Sequence, residues 1–321
     1  MARALIIAGI GGAALLASFS SPALAQERSQ GPAPPDFGGI WGNPYLYGIE
    51  RPLSGPGPLV NTARRRQAYD IDGHPLPPAS APLVSNATRL VGDYTNPILK
   101  PEAAALVKKR GELALAGIGF PSVRNQCWPQ GVPFIFTNYG LQLLQQPDKI
   151  TMLYDEDHEV RRVRLNQPHP AQVTPSWYGD SVGHYEGDTL VIDTVGFKVG
   201  PFSAVDQFGT PFTEAMHVVE RYRLIDYEAA RQGQQRGAED NSRAGGASIG
   251  EGWAADPNYK GKGLQLQFTV EDDSVFTTPW SATKTYRRVR RDWPENVCAE
   301  NPHRYGTDKD PALPTADKPD F

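Results

Sequence analysis

Two side chains capable of proton transfer, His184 and Asp193, lie on the two strands of a predicted β-hairpin within residues 177–197. Gly187-Asp188 is typical of a two-residue hairpin loop, because Gly readily adopts the positive φ that such a turn requires. Counting outward from this loop places His184 opposite Val191, so His184 and Asp193 become diagonal neighbours roughly 7 Å apart on one face. An imidazole held by a carboxylate titrates near neutral pH and can act as a general acid or base. The pair therefore predicts acid/base chemistry that needs no cofactor.

Neighbouring residues could support this chemistry or contact a ligand. Hydrolysis, elimination and isomerisation are the reactions open to such a set of side chains. The alternative is that this face of the hairpin is merely solvated, as the polar face of an antiparallel sheet usually is, and that its charges are paired with one another. The catalytic candidates are His184, Asp193, Glu186, His217 and Glu220, and the ligand-binding candidates are Trp177, Asp180, Tyr185, His169, Arg221 and Tyr222.

Other kinds of catalytic centre lack their usual setting. In a serine hydrolase a helix must follow the nucleophile, whereas Ser181 lies within the predicted hairpin and on its apolar face. The six histidines are dispersed and form no H-x-H or H-E-x-x-H pattern. The sequence therefore predicts neither a metal site nor a bound cofactor.

The N-terminus predicts export. Residues 1–25 have the features of a secretory signal peptide: Arg3, an apolar core, and Ala23-Leu24-Ala25 as a small-x-small cleavage site. The apolar run is too short to span a bilayer comfortably, and no Cys follows the cleavage site, so we expect no membrane anchor. We expect the mature protein in the periplasm of a Gram-negative bacterium.

Charge and cysteine content agree with this compartment. The 321 residues carry a formal net charge of −4 with scattered basic side chains, which argues against a nucleic-acid partner. Cys127 and Cys298 are the two cysteines, and an exported chain permits them to form a disulfide. Such a bridge would close a loop of about 170 residues and contribute up to about 5 kcal/mol in the chain-entropy model.

The hydrophobic pattern divides the mature chain into three parts. Residues 26–130 form a Pro-rich wrap that contains a first strand at Gly39-Ile40-Trp41 and one helix over Pro101–Leu115. Residues 131–298 show a period of two, and 299–321 form a polar tail. Within the second part, 227–262 is poor in apolar residues and predicts a mobile insertion or lid.

The strands predict an all-β fold. With no βαβ alternation, about nine strands form an antiparallel meander that closes into a β-barrel with long loops, and a barrel of this size suits one small ligand. Besides the first strand, the predicted strands are 134–137, 141–146, 150–154, 160–165, 181–186, 189–195, 217–225, 264–270 and 283–289.

Two motifs resemble known families. The run from Trp177 to Phe197 resembles W-x-G-x-S-x-G-x-[WY]-E-G-D-T-L-V-[VI]-D-T-x-G-[FY], the hallmark of a largely uncharacterised family of exported bacterial proteins. The chain departs from that pattern at His184, where the family often has another basic residue, and just before His169. Gly39-Ile40-Trp41 is similar to the Gly-x-Trp of lipocalins, whose Trp plugs the closed end of the barrel. The resemblance implies an exported, lipocalin-like barrel and assigns no reaction.

Two functional hypotheses follow. In the first, the barrel binds an apolar or aromatic small molecule in its cavity, and His184 lies outside that cavity. In the second, the same cavity catalyses hydrolysis, elimination or isomerisation, with His184, Asp193 and another acid converging on one void. A structural envelope protein is disfavoured because the sequence contains no repeats or anchors.

Overall fold

A computed structural model describes residues 33–43, 49–62, 90–116, 122–124, 126–137, 140–156, 159–244, 256–289, 295 and 297–298. The predicted signal peptide and the tail at 299–321 lie outside these residues, as does the stretch 245–255 of the predicted insertion. The described residues from Pro34 onward belong to one compact unit.

In the described part of the chain, nine β-strands close into one barrel, in which each strand pairs with its neighbours in sequence and the last strand pairs with the first. The predicted all-β barrel is therefore confirmed. The strands are β1 (Gly39–Gly42), β2 (Gly140–Gln145), β3 (Lys149–Tyr154), β4 (Val160–Leu165), β5 (Asp180–Glu186), β6 (Thr189–Val195), β7 (His217–Ile225), β8 (Gly263–Glu271) and β9 (Trp280–Arg288).

The central hairpin has the predicted register. Gly187 adopts a φ of 60°, Glu186 pairs with Thr189, and Val182 pairs with Asp193. Ser181, on the face predicted to be apolar, is buried, whereas His184 on the opposite face is exposed. The alternation of side chains therefore predicted correctly which face of the hairpin Ser181 and His184 occupy.

One strand pair departs from a pure antiparallel meander. β4 and β5 are parallel, with Arg164 paired to Val182 and Leu165 to Gly183. Parallel neighbours require a crossover connection, and residues 166–179 provide it by running back along the barrel between the two strands. This connection carries His169 and Trp177.

Two predicted elements were wrong. Phe134–Thr137 forms a short 3-10 helix instead of a strand, and all four of its residues are buried, so it lacks the two-faced alternation of a strand. Tyr227–Ala244 forms a second helix instead of a mobile insertion. We label it α2, and α1 is the predicted helix Pro101–Leu115, which is confirmed.

Helix α2 packs closely against the outside of β8 and β9. Gln234 donates hydrogen bonds to the backbone oxygens of Gly42 and Thr285, at 2.8 and 3.3 Å. The contact is so tight that a Cβ atom on Gly233 would lie 2.4 Å from the Thr285 hydroxyl. The helix therefore packs on the barrel through small residues, although its composition is mostly polar.

The disulfide predicted between Cys127 and Cys298 is present, with Cα atoms 5.5 Å apart. It links the segment before β2 to the segment after β9. Neither of the two helices in the described part of the chain is long and apolar enough to cross a membrane.

Candidate functional site

Acidic and basic side chains alternate across the outer face of the barrel, on β4 to β8 and on the 166–179 connection. The pairing of neighbouring strands brings outward-facing residues together. Asp193 on β6 pairs with Val219 on β7, and His217 is the next outward-facing residue of β7. His217 in turn pairs with Glu271 on β8. The connection then places His169 beside the two aspartates of the hairpin. We call this set the acid–base row: Arg164, Asp180, His169, Asp193, His217 and Glu271.

Hydrogen bonds and ion pairs connect all members of the row. His169 Nδ1 lies 2.6 Å from Asp180 Oδ1, and its Nε2 lies 3.0 Å from Asp193 Oδ1. The other oxygen of Asp193 lies 2.9 Å from His217 Nε2, and His217 Nδ1 lies 3.5 Å from Glu271 Oε2. Asp193 therefore bridges two imidazoles, an arrangement in which a carboxylate fixes the orientation of both rings.

The row perturbs the pKa values of its members in opposite directions. The Arg164 guanidinium, 2.7 and 2.9 Å from the two oxygens of Asp180, lowers the pKa of that carboxyl. The hydrogen bond from His217 lowers the pKa of Asp193, and the same bond raises the pKa of His217. A histidine with a raised pKa carries its proton nearer to neutral pH, which suits it to act as a general acid.

His184 is not part of this row. Its ring is 53% exposed, and Nε2 lies 3.1 Å from Glu186 Oε1. Glu186 also accepts a hydrogen bond from Arg221 at 2.7 Å. The structure therefore pairs His184 with Glu186 and pairs Asp193 with His169 and His217, so the two candidates of the predicted pair have different partners.

Glu220 faces the inside of the barrel, where it meets Arg161 in a bidentate ion pair with distances of 2.9 and 2.6 Å. The guanidinium also contacts Ser181 and Thr194, so it links β4, β5, β6 and β7. Burial alone would lower the pKa of Arg161, but Glu220 together with the nearby tyrosines Tyr154 and Tyr222 raises the pKa of the guanidinium above its ordinary value. The side chains of the pair are 1% and 0% exposed, so Glu220 is part of the core and does not face solvent.

The remaining ligand-binding candidates are dispersed. Tyr222 is buried beside Glu220 and donates a hydrogen bond to it at 3.0 Å, and burial raises the pKa of Tyr222 well above its ordinary value. Tyr185 is half-buried and stacks on Phe37 with ring centroids 6.5 Å apart. Trp177 packs edge-on against Trp128 with centroids 5.1 Å apart. Each of these aromatic side chains thus has a packing partner.

The interior of the barrel is occupied by side chains from the described strands. Besides the Arg161–Glu220 pair, large fully buried side chains include Tyr154, Tyr222, Tyr286, Phe268 and Lys284. Burial lowers the pKa of Lys284 to about 7 and raises that of Asp155, the nearby acid, to about 7. This filled interior differs from the apolar ligand cavity that the barrel prediction led us to expect.

A groove of about 550 Å³ lies outside the barrel wall instead. Its walls are α2, the segment 50–54 and the outer faces of β7, β8 and β9. Among the described residues, four guanidinium groups line it: Arg51, Arg221, Arg223 and Arg236. The apolar lining residues include Pro52, Leu53, Val219, Ile225 and Ala229. We call it the α2 groove.

The acid–base row begins beside the α2 groove. Val219 and Thr269 line the groove, and the next outward positions on the same two strands are His217 and Glu271. Two residues along a strand span roughly 7 Å, so the imidazole of His217 is near one end of the groove.

Sequence reasoning missed Arg161, Arg164, Arg223 and Glu271, the last of which lies one residue beyond the predicted strand 264–270. The alternation of side chains in β4 places Arg161 on the same face as Val163 and Leu165. Because these two residues are apolar, the pattern indicates that Arg161 faces inward. No comparable signal marks Arg164 or Arg223, because their roles depend on the 166–179 connection and on the position of α2.

Metal binding has no support from the geometry. In the described part of the chain, no three His, Cys, Asp or Glu side chains are arranged to hold a metal ion.

Gly179–Gly183 has the Gly-x-Ser-x-Gly spacing of serine hydrolases, but Ser181 is 3% exposed, lies within β5 and contacts Arg161. It is therefore not presented to a substrate as a nucleophile must be.

Comparisons with family models, with curated proteins and with solved structures find no match to this chain. Its function is therefore inferred from its own geometry.

Proposed function

We propose that the protein is an exported β-barrel that binds a small molecule in the α2 groove. The observation that carries this proposal is the groove itself, whose volume of about 550 Å³ falls within the usual range for ligand pockets. The barrel interior is a poorer candidate, because a ligand there would have to displace the buried Arg161–Glu220 pair.

An apolar or aromatic body of the ligand is supported by the groove's rim. Leu53 is 99% exposed and lines the groove, where it gains nothing from the protein's own packing. A bound molecule that covered Leu53 would remove this apolar surface from water, and full burial of a Leu side chain is worth roughly 1.5–3 kcal/mol.

We further propose that the protein is located in the periplasm. The disulfide between Cys127 and Cys298 is compatible with an oxidising compartment. The signal-like residues 1–25 and the resemblance to exported bacterial proteins support the same location.

Native mass spectrometry of the protein purified from its own compartment tests the groove. Ala229 on α2 lines the groove, so Ala229→Trp fills it, whereas Arg231→Trp on the exposed side of the same helix is the matched control. We expect a co-purifying small molecule on the wild type and on Arg231→Trp, and its loss from Ala229→Trp. Retention of the molecule on Ala229→Trp would place the binding site elsewhere.

Acid/base catalysis is a second candidate function, and the acid–base row is the observation that favours it. Asp193 orients both His169 and His217, and His217 adjoins the groove. In this candidate His217 is the proton donor and Asp193 holds it in position, while His184 has no role in the reaction.

Replacement of single histidines separates catalysis from binding. His217→Gln should carry an unconverted molecule whose mass or fragmentation pattern differs from that on the wild type, and His184→Gln should carry the wild-type molecule. If all three proteins carry the same molecule with the same fragmentation, the protein binds without converting its ligand.

A further inference from the structure

The four guanidinium groups of the α2 groove differ in the charge of their partners. Three of them face carboxylates: Arg51 lies 3.1 Å from Asp240, Arg221 lies 2.7 Å from Glu186, and Arg236 lies 3.3 Å from Glu50. The fourth, Arg223, meets an amide instead. Its Nε and Nη2 donate to the side-chain oxygen of Gln265 at 2.9 and 2.7 Å.

Gln265 orients Arg223 without neutralising it. The two residues are directly paired across β7 and β8, and two hydrogen bonds to one oxygen fix the plane of the guanidinium. A guanidinium has five N–H donors, so three remain for another acceptor. Arg223 is exposed and lines the groove, so these donors are available to a ligand.

The rest of the wall adds little negative charge to oppose an anion. Glu50 is the acidic residue among the described residues that line the groove, and it accepts a hydrogen bond from Thr285 at 2.5 Å. Glu50 lies 3.3 Å from Arg236, so its charge already has a cationic partner. One guanidinium with a neutral partner therefore sets the charge that a ligand must complement.

We propose that the α2 groove takes an organic monocarboxylate with an apolar body, whose carboxylate binds Arg223 and whose body covers Leu53. The inference rests on the proposed function, since it names the ligand class of the same groove. Planar carboxylates match the fork of a guanidinium in a bidentate fashion, and a single negative charge balances a single Arg.

The length of the groove sets the size of the body. Arg223 and Val219 both line it, and the distance between them is four residue steps along β7, which corresponds to about 13 Å. An extended chain of about eight carbons occupies most of that length, so octanoate is a suitable probe.

Isothermal titration calorimetry with octanoate and with 1-octanol at pH 7 tests the inference. We expect octanoate to bind the wild type more tightly than 1-octanol does. Arg223→Gln should weaken octanoate binding by about tenfold or more and leave 1-octanol unchanged, because it removes a charged hydrogen-bond donor and little apolar surface. Arg223→Lys keeps the charge but loses the fork, and it should give an intermediate affinity for octanoate.

Arg162→Gln is the control, since Arg162 is an exposed guanidinium on the outer face of β4 and does not line the groove. Its affinity for octanoate should equal that of the wild type. Equal binding of octanoate by the wild type and Arg223→Gln overturns the monocarboxylate inference; if Ala229→Trp then abolishes 1-octanol binding, the groove remains the binding site. If neither probe binds the wild type, both the inference and the apolar ligand of the proposed function are wrong.

Discussion

The ion pair between Arg161 and Glu220 offers a sharp test of the barrel, because the same sheet contains an exposed counterpart. Glu220 and Arg221 are consecutive residues of β7 whose side chains point to opposite faces. Inside, Glu220 pairs with Arg161, and the two side chains are 0% and 1% exposed. Outside, Arg221 pairs with Glu186, and the two side chains are 46% and 47% exposed.

Glu220→Gln keeps the shape of the side chain but leaves the Arg161 charge in the core without a counter-charge. Breaking a buried ion pair in this way costs roughly 3–5 kcal/mol. At about 2–4 °C per kcal/mol for a chain of this size, the melting temperature should fall by on the order of 10 °C. The Ser181 and Thr194 hydroxyls still contact the guanidinium, but they supply no opposing charge.

The double variant Arg161→Met with Glu220→Gln should recover most of the lost stability. It removes both charges, the side-chain amide introduced at position 220 can still accept the hydrogen bond from Tyr222, and the Ser181 and Thr194 hydroxyls lie 3.2 Å apart and can bond to each other. Replacement of both members of a buried pair is often close to neutral. The single variants should therefore couple by more than about 2 kcal/mol in a double-mutant cycle.

Urea unfolding of the oxidised protein at pH 7 measures these differences. The exposed control, Glu186→Gln, should leave the midpoint unchanged within the error of the measurement, because solvent screens that pair. If Glu220→Gln shifts the midpoint no further than Glu186→Gln does, the two ion pairs experience the same environment and the Arg161–Glu220 pair is not buried in solution.

Two further predictions concern α2 and the acid–base row. Gly237→Ala should stabilise the protein by roughly 1 kcal/mol through helix propensity, since its Cβ would meet no atom nearer than 3.9 Å. Gly233→Ala in the same helix should lower the stability of the protein, because the added Cβ would lie 2.4 Å from Thr285 Oγ1. The urea midpoints of both variants are compared with that of the wild type. A higher midpoint for Gly233→Ala would contradict the packing of α2 against β9. The row predicts a pH dependence: the pKa of His217 is raised in the folded state, so its contribution to stability is fully present below its unfolded pKa and declines as pH rises through the folded pKa. Between about pH 6 and pH 9 the urea midpoint of the wild type should therefore fall more than that of His217→Gln, and parallel pH profiles would contradict the bond to Asp193.

The central hairpin shows which features the sequence could predict. Alternation and the Gly187 turn are local, so the register of Val182 with Asp193 followed from counting alone. The disulfide was predictable for a similar reason, because two cysteines allow one pairing.

Helix α2 and the acid–base row depend on tertiary structure. The packing face of α2 includes Ala230, Gly233 and Gln234, and its small residues give a composition typical of disorder while they allow close approach to the barrel. His169 reaches Asp193 only because β4 and β5 are parallel and the connection between them crosses the barrel's outer face. No periodicity in residues 166–179 predicts that path.

The barrel closes where its last strand, β9, pairs with its first strand, β1. Trp41 on β1 is directly paired with Arg288 on β9 as well as with Leu141 on β2. A chain synthesised from its N-terminus therefore exposes the unpaired edge of β1 until almost all of the remaining strands have been made. Exposed strand edges are templates for aggregation, so a nascent or truncated chain that lacks β9 presents two open edges at once. Pairing of β9 with β1 thus removes both open edges of the described sheet.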